Sequence, residues 1–421
     1  MASLSSTTAV VIPNAHRGIL DLPVELIWHI CSFFSPCCFK AKASGGCFSR
    51  IDDRIQLSVI SRTCRTLRDI AQPLVFHCFS DWGGSNLSRL IRLIRTLKKR
   101  PDLAQYVKSI AHTIPFAGDL DAENKKVVED AITDLGLPPV NQYWNIDGEG
   151  EYRLLSLEVL LTMTHNLEAL QLPLDYDWRL HATASTTDYI TPSTPLLPFT
   201  NLHRLLFHAN CAVDPAYLAH MLTSAPQLEV VALHWAALAD VEEDCEDRRT
   251  TDAWDALERR RDTLREIRLD IRNDVEHGRT ERCSLADFER LEVLAVEGHA
   301  LWSLREAWER RNRGARAVEF LAEFFPSSIR EVKFWSPDAG ELMPAMLKFA
   351  KAVAVGRYPN LRRVVIAPST TMEQWAGDEW KTQRLWDAAG PMLKGEFRRG
   401  GVTLEIWGEG RYWRAFGSDD E

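Results

Sequence analysis

A chain of 421 residues and 47.9 kDa is longer than one ordinary globular domain unless it is built from repeats. Hydrophobic residues at 45% and charged ones at 26% mark a soluble folded chain, and a net charge of −9 argues against a nucleic-acid partner held by phosphate neutralisation. Nine scattered cysteines lack the framework of a small secreted domain, and no apolar run approaches the roughly 18–20 residues of a membrane span, so the cytoplasm and/or nucleus is expected, with no membrane contact.

Residues 1–18 are rich in Ser and Thr, lack the charged start of a signal peptide, and are expected to form a disordered tail. GILDLPVELIWHICSFF comes next, from Gly18 to Phe34. Pro23 suits the first turn of a helix, Asp21 can cap it, and Glu25 sits where the helix dipole favours an acid. The apolar positions split into two stripes, Leu22, Leu26, Ile30 and Phe33 on one line and Val24, Ile27, Cys31 and Phe34 on another. One stripe is enough for a surface helix, so the second is available for another protein.

A loop near residues 35–53 contains Gly45 and Gly46. Its Cys37, Cys38 and Cys47, with Cys31, do not have the paired spacing of a structural zinc site, and no metal is expected. In IQLSVISRTCRTLRDIAQPLVF, Leu57, Ile60, Cys64, Leu67 and Ile70 recur at helical spacing, and Pro73 is expected to end the helical pattern.

ILDLPVELIWHICSFF together with LSVISRTCRTLRDIAQPLVFH resembles an F-box, in the form common among fungal proteins. Leu22, Pro23, Glu25, Leu26, Ile30, Cys64, Arg65 and Leu67 match that family's pattern, and NLSRLIRLIRTLKKRPDLAQYVKSI resembles the segment C-terminal to the F-box in its members. The connection between the two helical segments is longer than the family's. The resemblance implies a small all-α module at 19–80 that docks a Skp-type adaptor, and through it a cullin. Leu22, Pro23, Leu26, Ile27 and Ile30 are the expected adaptor face, supported by Leu57, Ile60, Cys64 and Leu67. The basic helix RLIRLIRTLKKR reads as a cap on the first repeat with a solvated back.

From residue 81 to 415 one pattern recurs, apolar-x-x-apolar-x-apolar: VKSIAH (107), LEALQL (167), LHRLLF (202), LEVVAL (228), LREIRL (264), LEVLAV (291), IREVKF (329) and LRRVVI (361), with TLEIW (403) closing the series. Starts fall mostly about 26–38 residues apart, with one gap of 60 after the first. Many copies come after a helix-like segment and a Pro or Asn turn. The physical reading is a helix, a turn and a short strand that cannot bury its apolar face alone, so that neighbours stack. This resembles an irregular leucine-rich-repeat array. The fold class is therefore α+β / α/β repeat, a helical module joined to a curved solenoid of parallel strands and helices. The alternative is a doubly wound α/β sheet. Loop insertions are expected near 116–150, 175–198 and 239–252, and an acidic tail at 416–421.

The sequence contains no G-x-S-x-G elbow, Walker loop, HExxH or CxxC, and nothing pairs its histidines with a nucleophile. The expectation is a chain without catalytic residues or cofactor: the substrate-recognition subunit of an SCF-type ubiquitin ligase, or else an interaction scaffold without ubiquitin transfer. A hydrolase with a divergent site has no residue in its favour. Residues between the core positions of the repeats, such as His208, His234, Trp235 and Trp335, are the candidate contacts to a target protein.

Overall fold

A computed structural model describes residues 18–34, 51–81, 87–112, 120–137, 151–173, 199–208, 212–213, 215–233, 237–238, 255–269, 285–298, 300–301, 305, 308–309, 319–335, 339–367 and 379–407. The N-terminal tail, most of the cysteine-containing loop, the insertions near 175–198 and 239–252, and the acidic tail lie outside the described residues.

Three helices come first: α1 (Val24–Phe33), α2 (Ile51–Ser61) and α3 (Arg65–His77). Asp21 does not cap α1. It closes a short 3-10 turn instead, its carboxylate accepting the Gly18 N–H at 2.7 Å, and Pro23 takes the N-cap position in extended conformation. The break between α2 and α3 has a local cause. Ser61 and Thr63 fold their hydroxyls back onto the carbonyls of Ser58 and Ile60, both at 2.8 Å, and Cys64 is extended. Pro73 does not end α3, which continues to His77. The ring removes only the bond to the Asp69 carbonyl, on an exposed residue, while Ile70, Ala71 and Leu74 hold the register from the buried side. Ile27, Cys31, Leu57 and Leu67 complete this small core.

β1 (Cys78–Asp81) joins α3 with no residue between them, so the sheet begins before the expected boundary at 81. Next come α4 (Ser88–Lys99), β2 (Ser109–His112), α5 (Ala122–Asp134), α6 (Glu151–Met163), β3 (Ala169–Pro173) and β4 (Arg204–His208). After β5 (Ala212–Val213) stand α7 (Pro215–Ser224), β6 (Val230–Leu233), β7 (Ala237–Leu238), β8 (Glu266–Leu269) and β9 (Val293–Glu297). The chain continues through α8 (Phe320–Phe324), β10 (Glu331–Trp335), α9 (Ala339–Ala354), β11 (Arg363–Ala367), α10 (Glu379–Arg399) and β12 (Thr403–Ile406).

Ten strands form one parallel sheet in the order β1-β2-β3-β4-β6-β8-β9-β10-β11-β12, while β5 and β7 pair separately. Each strand joins its predecessor in chain order. A doubly wound sheet must reverse its order at a switch point, and this one never does. The architecture is a solenoid-like stack of α/β units. All nine apolar patterns read from the sequence are strands, and the gap of 60 residues is filled by two helices, α5 and α6.

The stacking is cooperative. Leu170, Leu205, Val231, Ile267, Leu294 and Val332 stand in register across β3–β10 and are buried in one core with the helices. The apolar residue two positions before β3, β4, β6, β9, β10 and β11 (Leu167, Leu202, Leu228, Leu291, Ile329, Leu361) donates its N–H to the carbonyl three residues back at 3.1–3.2 Å. The same tight turn therefore feeds each of these strands. Asn201 bonds the Asn166 side chain at 3.3 Å, and Asn360 the Ser327 carbonyl at 3.0 Å, tying one turn to the next. Gly356, at φ +81°, lets the chain leave α9 for β11 where a Cβ would strain the backbone.

The basic helix is not a terminal cap. As α4 it lies between β1 and β2 in sequence, burying Leu90, Ile91 and Ile94, and its otherwise exposed back carries two ion pairs to α5, Arg95 with Glu123 at 3.1 Å and Lys98 with Asp134 at 2.8 Å.

Candidate functional site

Two surfaces hold the residues that the sequence singles out. The first is the helical module, where α3 lies along one side of α1 and decides which apolar stripe is buried. Ile27 and Cys31 enter the module's core and Phe34 packs at its margin. Leu22, Leu26 and Phe33 of the other stripe stay outside, Leu26 at 49% exposed and Phe33 at 56%, with the His29 ring edge-on to Phe33 at 5.0 Å. Ile30 sits between the stripes, half-buried.

Ile27, expected on the adaptor face, is 2% exposed and is a core residue of the module itself. Val24, expected on the same stripe as Ile27, is exposed at the first position of the helix. Pro23 is exposed; Leu57 and Leu67 are core; Ile60 and Cys64 pack at its edge. Further exposed apolar residues extend this surface: Ile19 and Leu20 in the turn before α1, Trp28 on α1 itself, and Ile55 and Val59 one turn apart on α2. Burial pushes the Cys31 thiol up, which makes it an apolar filler rather than a nucleophile.

The second surface is the sheet face turned away from the main core. Arg363 on β11 reaches both neighbouring strands. Its Nε and Nη2 meet the two Glu405 oxygens at 2.9 Å each, and its Nη1 meets Glu331 at 3.0 Å. Lys333 approaches Glu331 at 3.4 Å, and the Trp407 indole N–H donates to Glu405 at 3.0 Å. Arg363 first, then burial and Trp407 in opposite directions, set the Glu405 carboxyl below the usual glutamate range. On β8 Arg268 pairs with Glu266.

Beside this network Trp335 packs with Ala295 and Ala367, and Trp407 meets it edge-on with ring centroids 5.9 Å apart. Trp335 was expected to be an exposed target contact, but it is 3% exposed. The small Ala295 and Ala367 on the flanking strands leave room for the indole to lie down on the sheet. The His208 side chain is outside the described residues, as are His234 and Trp235. The Arg363 network was missed in the sequence although its signal was present, since aligning IREVKF with LRRVVI sets Glu331 opposite Arg363.

Among the described residues no group of His, Cys, Asp and Glu is placed to hold a metal ion, and no helix is long and apolar enough to cross a membrane. The loop cysteines Cys37, Cys38 and Cys47 are outside the described residues. No protein-family model matches the chain, and no curated protein is significantly similar to it in sequence.

Proposed function

We propose that the chain is the substrate receptor of an SCF-type cullin-RING ubiquitin ligase, an F-box module joined to an irregular leucine-rich-repeat solenoid. One observation carries this reading: Leu22, Leu26 and Phe33 form an apolar stripe that the module does not bury, on the helix whose opening residues carry the F-box resemblance. Contiguous exposed apolar surface on a small helical unit favours a protein partner. A Skp-type adaptor covering this stripe would connect the chain to a cullin, and the stacked units would hold a target protein near the ubiquitin-charged enzyme. The chain's contribution to the reaction is proximity, with no bond chemistry of its own.

The test is co-purification of a Skp-type adaptor with the full chain and with Leu26→Asp. Wild type is expected to retain the adaptor and the variant to lose it while keeping its helical content. A wild-type chain that fails to retain the adaptor would overturn the proposal. Turnover separates receptor from scaffold, because a target that accumulates when Leu26→Asp replaces wild type is one the ligase degrades.

A further inference from the structure

The strands are entered from turns along one edge of the sheet, and at β8–β11 those turns are rich in arginine: Arg261, Arg265, Arg290, Arg330, Arg357 and Arg362. Backbone bonds fix the residues immediately before these strands on consecutive rungs. Glu292 N–H donates to the Arg265 carbonyl at 2.8 Å, Arg330 N–H to Glu292 at 2.7 Å, and Arg362 N–H to Arg330 at 2.7 Å. On these rungs the row runs Arg265, Glu292, Arg330, Arg362, with Glu229 on the rung before Arg265, and the rungs are about 4.8 Å apart.

Glu292, between the arginine rungs, serves two guanidiniums, Arg330 at 3.1 Å and Arg265 at 3.9 Å. Among the described residues Arg290 and Arg362 have no acid within ion-pair distance, and both are exposed. The Arg330 side chain is 62% exposed despite its contact with Glu292. Arg261 meets Asp262 at 3.8 Å and Arg357 meets Glu323 at 3.9 Å, so on a chain of net charge −9 the unused cationic capacity of this edge lies at Arg290, Arg362 and the exposed Arg330.

We infer that this edge binds an acidic, extended segment of the target protein, an inference that rests on the receptor reading. Guanidinium forks match carboxylates in two-point geometry, and every cation in the row is arginine rather than lysine. An extended segment crossing the rungs advances about 3.3 Å per residue, so acids two or three residues apart meet Arg330 and Arg362 on one side and Arg265 on the other. The interleaved Glu292 favours a peptide over a nucleic acid. A peptide can place a neutral or basic residue opposite Glu292, whereas a phosphate backbone presents charge without interruption.

The probe is a fluorescently labelled Glu/Ser peptide, titrated by anisotropy against the full chain in complex with its adaptor at low and at physiological salt. Wild type is expected to bind, more weakly as salt rises. Arg330→Glu/Arg362→Glu should weaken binding about tenfold or more, since two exposed pairs change from attraction to repulsion. Arg330→Gln/Arg362→Gln should lose less, and the remote Lys99→Glu should bind as wild type. No binding at low salt, or equal loss in Lys99→Glu and the double variants, overturns the inference. Tighter binding of a single-stranded RNA of equal charge, lost in the same double variants, also overturns it. Adaptor capture through α1 is read in parallel, so its failure refutes the receptor reading independently of the peptide result.

Discussion

Leu26 and Ile27 are neighbours on one helix with opposite surroundings, and truncating each to alanine separates docking from folding. Ile27 is 2% exposed in a core that also holds Cys31, Leu57, Leu67, Ile70, Ala71 and Leu74. Removing an aliphatic side chain from such a site costs about 2–5 kcal/mol, and so small a core has little stability to spare. Ile27→Ala is expected to unfold α1–α3 locally. Leu26 is 49% exposed, so Leu26→Ala should change stability by less than about 0.5 kcal/mol. If the adaptor buries the exposed half, truncation forfeits about half the transfer energy of a leucine, roughly 1 kcal/mol, which weakens Kd about fivefold. Calorimetric titration with purified Skp-type adaptor reads the affinity, and hydrogen exchange of the α1–α3 amides reads the folding. Undiminished affinity in Leu26→Ala, or destabilisation of this variant equal to that of Ile27→Ala, would refute the assignment of the two stripes.

Tyr358 donates its hydroxyl to the Ala322 carbonyl at 2.7 Å at the end of α8, and burial pushes its phenol up to about 12. Tyr358→Phe should cost about 1 kcal/mol at neutral pH. In wild type the phenol's contribution is complete below the unfolded value of about 10 and is lost as pH rises through about 12, so urea midpoints should fall faster in wild type than in the variant above about pH 10. Arg260 caps the end of α7, its Nε meeting the Leu222 carbonyl at 2.9 Å and its Nη2 the Thr223 carbonyl. Arg260→Met should cost about 1–2 kcal/mol and raise hydrogen exchange at the α7 C-terminus; unchanged exchange would remove the capping role. Arg363→Met should raise the Glu405 carboxyl toward the ordinary glutamate range, since the guanidinium is the largest cause of its lowering. Because the wild-type group is depressed, its contribution is present above the unfolded value and lost as pH falls through the folded one. The melting-temperature advantage of wild type should therefore shrink below about pH 4.3.

The strands were legible because alternation with period two, preceded by a fixed apolar position and a turn, is a local property of the chain. β1 escaped that reading because CFSD comes directly after α3 with no turn before it, and its leading apolar residue, Phe76, is still part of the helix while packing against the main core. On α1 the spacing reveals two stripes but not which of them faces inward. That depends on where α3 lies, a tertiary fact with no local signature. Pro73 misleads for a related reason, since burial of Ile70, Ala71 and Leu74 outweighs one missing backbone bond. Trp335 has the parity of the face turned from the main core, as its position in the pattern suggests. Its burial depends on alanines one strand away on each side, Ala295 and Ala367, which only the register brings next to it.

The junction between the two parts bears on how such a receptor could work. His77 is the last residue of α3 and Cys78 the first of β1, so no linker separates module from sheet. The His77 carbonyl also accepts the Lys108 N–H at 2.9 Å, which binds the junction to the start of β2, and α3 packs on the 3-10 turn Pro101–Tyr106. Each solenoid unit is in turn braced by its neighbours through a shared core. Under the receptor reading, a partner on the α1 stripe and a target on the arginine edge would be held along a fixed vector rather than through a flexible tether. Rigid positioning concentrates target sites that lie along that vector and gives nothing to sites elsewhere. Which target lysines are modified would then depend on this geometry as well as on the affinity of the acidic segment.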